Sequence, residues 1–299
     1  MIDIQSYRRF FAEEIEAVAR LSSAALIDAL ATVPREGFLP PGPWTVLADG
    51  DLASMSAGMM PSARVRTRTT VDSDPRRVYH NIVVAIDPSR QLFNGQPSTV
   101  STWIDAIDPR PGQRVLHIGA GLGYYTAIMA HTVGPSGRVV AYEVDEALGA
   151  EVRQNLASMP WVNVRIGNAA APLDEPFDAI LVNAGVTHPL DVWLDALVPG
   201  GHMILPLTSA IPAMGPTIGK GLVFLLTKQH DGSFTARVIA FVSIYSAVGI
   251  RDEQVNERLG KAMMGGPMQW TAVTGLRRDA HDAGPSCWLH TDSFCLQRF

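Results

Sequence analysis

The sequence predicts an α/β fold: a Rossmann-like sheet of mostly parallel strands with helices on both faces, preceded by a helical segment and followed by a β-rich extension. Three observations predict it. Between residues 78 and 207, short apolar runs alternate with segments of helical periodicity. That is the pattern of repeated βαβ units, whose helices cover both faces of a parallel sheet. One apolar run, beginning at Val115, passes directly into glycines and then into a helix. After Leu207 the alternation stops and paired strand-like runs replace it.

Residues 1–40 read as helical, with Phe10, Phe11, Ile15 and Val18 at helical spacing. Ser22 or Ser23 is placed to cap a second helix that carries Leu26, Ile27 and Leu30 and stops before Pro34. Residues 41–77 are rich in Pro, Gly, Ser, Met and Arg without clear periodicity, which reads as a long excursion or lid. The core then predicts a strand at Val78 to Ile86 and a helix at Pro97 to Ile107, with Pro97 in its first turn. Strands follow at Arg114 to Ile118, Arg138 to Glu143, Val162 to Ile166, Asp178 to Val182 and His202 to Leu207. Helices fall between them at Tyr124 to Thr132, Glu146 to Ser158 and Leu190 to Leu197. In the tail, strands at Leu222 to Lys228 and Phe234 to Ser243 flank Asp231-Gly232, a hairpin signal. A helix near Glu253 to Met263 and a hairpin near Trp288 to Leu296 complete it. The expected organisation is thus residues 1–77 as helical segment and lid, 78–207 as the core, and 208–299 as an extension.

Composition narrows the class. With 47% hydrophobic and 18% charged residues, a packed core is expected rather than disorder. A formal net charge of -5 argues against charge-driven binding to nucleic acid or an anionic membrane. The two cysteines, Cys287 and Cys295, make no disulfide framework and suit a reducing cytosol. The N-terminus carries acids where a signal peptide is apolar, and no apolar run approaches the roughly 20 residues that span a bilayer. A cytoplasmic protein is expected. Nothing in the sequence specifies an oligomeric state.

The candidate site lies at Gly119-Ala120-Gly121-Leu122-Gly123, between a buried strand and the helix opened by Tyr124. Glycines there let backbone take positive φ or approach a ligand, and the helix N-terminus offers free N–H groups. The Gly-x-Gly-x-Gly spacing departs from the Gly-x-Gly-x-x-Gly dinucleotide fingerprint, which disfavours a pyrophosphate. Glu143 ends the next strand, twenty positions after Gly123. A carboxylate there can accept from both hydroxyls of a ribose.

These residues resemble the protein-L-isoaspartate O-methyltransferase family. Val33-Pro34-Arg35-Glu36-Gly37-Phe38-Leu39-Pro40 is similar to its N-terminal signature, and Gln96-Pro97 to the segment that leads into its cofactor fold. Val115 to Ala127 resembles its glycine loop, and Pro176 to Ile180 and Leu197 to Gly201 its later strand and turn. The resemblance implies a class I methyltransferase fold and S-adenosylmethionine as methyl donor, with S-adenosylhomocysteine as product. It implies cofactor contacts from Gln96, His117, Gly119, Ala120, Gly121, Gly123, Tyr124, Glu143, Val144, Asn168, Ala169 and Asn183. There are departures. The family's serine at the substrate is matched by Gly95, an acid before the loop by His117, and the aspartate that faces the adenine amine by Asn168, whose oxygen can still accept.

The acceptor implied is a carboxylate of a peptide, a protein or a small molecule. It is ionised at neutral pH and needs no general base. Gln96, Ser98, Asn183 and His188 are the candidates to touch it, although His188 also reads as a loop residue capping the next helix. His117 reads as a neutral histidine hydrogen-bonded beneath the loop in preference to a catalytic residue. Arg64, Arg66 and Arg68 alternate, so one extended face can grip a carboxylate, although a solvated strand edge explains the same alternation. His281, Cys287, His290 and Cys295 lack the paired Cys-x-x-Cys framing of structural zinc, so no metal is expected and the cysteines read as small buried residues. Alternatives are a small-molecule O- or N-methyltransferase and a cofactor-binding module without catalysis.

Overall fold

The N-terminal periodicity becomes two helices, α1 (Ile4–Ala19) and α2 (Ala24–Thr32). Ser23 is the cap of α2, its hydroxyl accepting from the Leu26 amide at 3.3 Å. Ser22 instead holds Asp105 through its amide and hydroxyl. Phe11 and Ile15 are fully buried, whereas Phe10 and Val18 are 63% and 57% exposed, so the buried stripe of α1 is narrower than its apolar pattern. This computed structural model describes residues 3–47, 67–210 and 217–298. The chain forms two compact units, Met1–Gly167 and Asn168–Phe299.

In the first unit, four short strands make an antiparallel sheet in the order β2-β1-β3-β4: β1 (Thr45–Leu47), β2 (Arg68–Thr69), β3 (Val83–Asp87) and β4 (Leu92–Phe93). Thr45 pairs with Thr69 and Val46 with Arg68, so the described ends of the 41–77 excursion are sheet rather than irregular chain. Met55, Met59, Met60, Arg64 and Arg66 lie outside the described residues, and Arg68 is exposed. The strand expected from Val78 starts only at Val83. Pro75 opens a 3-10 turn through Val78, and the carbonyls of Val78, His80 and Ile82 are taken by the Arg35 guanidinium at 2.5, 2.9 and 2.6 Å, which leaves them unavailable to a strand partner.

The rest of this unit is a βαβαβ run. β5 (Arg114–Ile118), β6 (Arg138–Glu143) and β7 (Val162–Ile166) are parallel in that order, joined by α4 (Tyr124–Val133) and α5 (Glu146–Asn155). α3 (Pro97–Ile107) precedes them with Pro97 in its first turn, as expected. α5 ends at Asn155, three residues short of the expected end, in turns that lead to Pro160, before which helical φ/ψ is disfavoured. Val115, Leu116, Val139, Val140 and Ala141 on β5 and β6 are fully buried, as are Ala127, Ile128 and Val152 on the helices that join the strands.

In the second unit the strand order is β13-β14-β12-β11-β10-β9-β8. These are β8 (Phe177–Val182), β9 (Leu197–Ala210), β10 (Ile218–Lys228), β11 (Phe234–Tyr245), β12 (Val273–Arg277), β13 (Cys287–His290) and β14 (Cys295–Arg298). β8 and β9 are parallel, and the remaining neighbours are antiparallel. The β10–β11 hairpin turns at Asp231-Gly232, with Gly232 at φ 85° and Asp231 Oδ1 accepting from Ser233 N. β9 starts at Leu197, five residues before the expected strand: Leu197 already pairs with Phe177, and Val198-Pro199-Gly200-Gly201 is an irregularity inside the strand before His202 pairs with Ala179. α6 (Asp191–Ala196) and α7 (Glu253–Met263) match their expected helices, and α8 (Pro267–Trp270) and β12 are additional. Among the described residues no helix is long and apolar enough to cross a membrane.

Candidate functional site

The site grows out of the C-terminal ends of β5 and β6, the edge at which open parallel sheets bind ligands. Past Ile118 the chain takes positive φ at Gly119 (89°), Gly121 (57°) and Gly123 (95°), a conformation that side chains penalise. Gly123 is also a packing requirement, since a Cβ there would stand 2.7 Å from Val152 Cγ2 on α5.

The loop's amides point inward, into bonds within the protein. Gly119 N and Ala120 N donate to the Tyr142 carbonyl at 2.9 and 3.0 Å, and Gly123 N to the Ala120 carbonyl at 2.9 Å. Gly121 N donates to Glu143 Oε2 at 2.7 Å, while Glu143 Oε1 accepts from Asp145 N at 3.0 Å. Glu143 is buried, and burial raises its carboxyl pKa against the opposing pull of the Asp145 and Gly121 amides. Two backbone donors thus fix the carboxylate plane. Each oxygen keeps a further acceptor site, enough for the two hydroxyls of a ribose. Asp145 then caps α5 through the Ala147 and Leu148 amides, and Val144 between the two acids is partly exposed.

His117 lies fully buried beneath the loop, its Nδ1 2.8 Å from Thr126 Oγ1. Burial pushes it down to about 3, so it is neutral at physiological pH. Tyr124 is buried as well, its ring 6.0 Å from Phe38 and under the Arg35 guanidinium. The next residue, Tyr125, donates its hydroxyl to the Gly95 carbonyl at 2.5 Å and so ties the 95–98 segment to the start of α4. There Gln96 is the N-cap residue of α3, its Oε1 accepting from Thr99 Oγ1 at 3.4 Å, and the Ser98 amide donates to Asn81 Oδ1 at 3.0 Å.

Asn168, Ala169, Asn183 and His188 belong to the second unit. Asn168 Oδ1 accepts from the Ala170 amide at 2.7 Å and its Nδ2 donates to the Val248 carbonyl at 3.3 Å. Ala169 is buried and its carbonyl accepts from Trp193 Nε1 at 2.8 Å, which holds this turn against α6. Asn183 follows the last residue of β8 and is half-buried. His188 pairs with Thr187 Oγ1 at 2.8 Å, and burial lowers its pKa.

Sequence reasoning missed Arg35, Tyr79 and Tyr125. Arg8 donates to Glu36 at 2.6 Å and to the Tyr79 hydroxyl at 2.8 Å, Tyr79 in turn donates to Glu36, and fully buried Arg35 stitches the approach to β3. Arg35 and Glu36 in the 33–40 signature therefore act as a structural clamp. An Arg-Glu pair in an otherwise apolar, proline-flanked patch was the available signal. The four His and Cys residues set aside on spacing also come together, with their ligand atoms all within 4.8 Å of one another.

Comparison with known proteins bears on the family and the fold. The family model for protein-L-isoaspartate(D-aspartate) O-methyltransferase matches residues 64–243. A protein-L-isoaspartate O-methyltransferase of Methylorubrum extorquens (strain PA1) is 32% identical over 80% of this chain and 89% of its own length. Another, from Methanopyrus kandleri, is 29% identical over 83% of this chain and 95% of its own. Among solved structures, a protein-L-isoaspartate O-methyltransferase covers 85% of this chain at 21% identity with a TM-score of 0.61, the chain covering 69% of it. A Plasmodium falciparum protein described as a putative member and solved with S-adenosyl-L-homocysteine covers 80% at 15% identity and a TM-score of 0.57, with 97% of its own chain covered. These likenesses show a class I methyltransferase fold.

Proposed function

The chain belongs to the protein-L-isoaspartate O-methyltransferase family and is an S-adenosylmethionine-dependent methyltransferase; from that premise we propose that it methylates a carboxylate of a peptide or protein, and that isoaspartyl residues are poor acceptors for it. The observation that carries the reading is the Glu143 carboxylate, locked by the Gly121 and Asp145 amides at the edge where the ribose is to be held. The glycine loop and Glu143 would hold the ribose side of the cofactor. When bound, the cofactor supplies a methyl group on a sulfonium, open to in-line attack.

The acceptor carboxylate arrives ionised, so the chain has to align it and exclude water rather than remove a proton. His117, neutral and turned to Thr126, holds the loop from below. Gln96 and Ser98 are proposed to orient the acceptor, because the Tyr125 bond to Gly95 pins their backbone to the helix that follows the loop. The expectation of poor isoaspartyl turnover rests on Gly95, which supplies no hydroxyl where the family resemblance implies a serine. The same reading puts the enzyme in the cytoplasm, where a reducing medium keeps Cys287 and Cys295 as thiols.

The test is methyl transfer from labelled cofactor to isoaspartyl, aspartyl and glutamyl peptides, folded proteins and small acids. Base-labile product, the mark of a methyl ester, is expected on a peptide or protein, with isoaspartyl peptides far down the ranking. Base-stable product would overturn carboxyl transfer, and isoaspartyl peptide as the best acceptor would overturn the specificity.

A further inference from the structure

We propose that the C-terminal extension carries a closed zinc site formed by His281, Cys287, His290 and Cys295. The family match ends at residue 243, so this cluster is separate from the methyl-transfer machinery. Cys287 and His290 are the two ends of β13, and Cys295 opens β14 as the register partner of His290. His281 reaches the group from the preceding loop. One ligand atom from each residue lies within 4.8 Å of all the others, and Cys287 Sγ stands 3.7 Å from His281 Nε2. A tetrahedral zinc with sulfur at about 2.3 Å and nitrogen at about 2.0–2.1 Å spaces adjacent sulfur and nitrogen ligands by about 3.6 Å.

Three further observations point at a bound cation. His281 Nδ1 lies 2.9 Å from the Asp279 carbonyl, the outer hydrogen bond that fixes a ligating imidazole with its other nitrogen free. His290 Nδ1 is buried without a hydrogen-bond partner among the described residues, a cost that a coordinate bond removes. The Gly284 amide points at Cys287 Sγ from 3.4 Å, as amides do toward a thiolate. The two imidazoles meet edge to face with centroids 4.7 Å apart, compatible with neighbouring vertices of one coordination sphere. Two sulfur and two nitrogen donors select zinc, and four protein ligands leave no open position, so the ion is structural. Both thiols lose their protons to solvent on binding, and the two thiolates balance the dication.

The experiment uses the full chain without a histidine tag. After dialysis against equimolar zinc and gel filtration, elemental analysis is expected to find about one zinc per chain. Cobalt loaded in its place should give a thiolate-to-cobalt charge-transfer band with tetrahedral intensity, a readout on the unmodified chain that does not depend on whether variants fold. Cys287→Ser and Cys295→Ser should each lower zinc affinity at least about tenfold and diminish that band. Less than a tenth of a zinc per chain, a cobalt complex without the thiolate band, or a Cys287–Cys295 disulfide in the freshly purified chain would each overturn the proposal.

Discussion

Replacing Gly95 by serine installs the hydroxyl that the family resemblance implies before the Gln96-Pro97 pair, and the structure leaves no room for it. A Cβ on Gly95 would lie 2.4 Å from Val100 Cγ2 and 3.4 Å from Tyr125 Cε2. Carbon atoms settle at roughly 3.5–4.0 Å, so the overlap with Val100 exceeds about 1 Å. Val100 is 1% exposed on α3, and a β-branched side chain on a helix has one dominant rotamer, so its methyl cannot swing aside. The opposite escape is closed by the Tyr125 hydroxyl, which holds the Gly95 carbonyl at 2.5 Å. Overpacking of this kind costs about 1–3 kcal/mol. Gly95→Ser is therefore expected to lose that much stability in urea denaturation at unchanged m-value, without gaining isoaspartyl turnover. Val100→Ala removes the obstructing methyl at a cavity cost of its own, about 1–2 kcal/mol. In the double variant the serine refills that space, so the pair should be less destabilised than the sum by about 1 kcal/mol or more. Full stability in Gly95→Ser, with additivity to Val100→Ala, would refute the packing argument.

Three other outcomes are expected. Glu143→Gln should weaken cofactor binding by about 1.5–3 kcal/mol, one to two decades in Kd by calorimetry. Because burial holds the Glu143 carboxyl above the ordinary range, affinity in the unmodified enzyme should start to fall on acidification before a solvent-exposed glutamate would titrate, and Glu143→Gln should lose that dependence. His117, pushed down to about 3 by burial against about 6.5 when unfolded, cannot take up the proton that the unfolded chain binds. Its stabilisation is complete above pH 6.5 and is lost by about 1.4 kcal/mol per pH unit as the pH falls toward 3; denaturation midpoints across pH in His117→Gln should show a shallower acid limb, and an equal slope would remove His117 from the account. Arg35→Met strands the carbonyls of Val78, His80 and Ile82 and should cost about 3 kcal/mol or more, checked by chemical denaturation.

The βαβ core was legible because its signals are local. The boundaries of β5, β6, β7 and α3 coincide with runs that can be read in windows of five to eleven residues. The glycine loop and Glu143 were legible for the same reason. What escaped depends on contacts distant in sequence or on backbone direction. β3 starts late because Arg35, more than forty positions away, claims the carbonyls before it. The inward turn of the loop amides follows from three positive φ angles that glycine permits but does not dictate. The His–Cys cluster was hidden by a spacing rule written for paired knuckles. Here the cross-strand register of His290 and Cys295 closes the set that His281 completes from a loop. At Gly95 the sequence showed a missing hydroxyl, and only the packing showed that Val100 fills the vacated volume.

The inward amides of the glycine loop also bear on competition inside a cell. Adenosine nucleotides share adenine and ribose with the methyl donor, and they differ in the charge beyond the ribose. A phosphate is normally caught by exposed backbone N–H groups at such a turn. Here the amides of Gly119, Ala120, Gly121 and Gly123 are all consumed by Tyr142, Glu143 and Ala120. A phosphate laid on this loop would find an ionised Glu143 close by, a repulsion of about 4 kcal/mol at 4 Å for an effective dielectric of 20. A sulfonium in the same place is attracted by the same carboxylate. On the proposed binding mode the loop would act as a filter on the sign of charge, favouring the cationic donor over anionic nucleotides without contacting any group they lack.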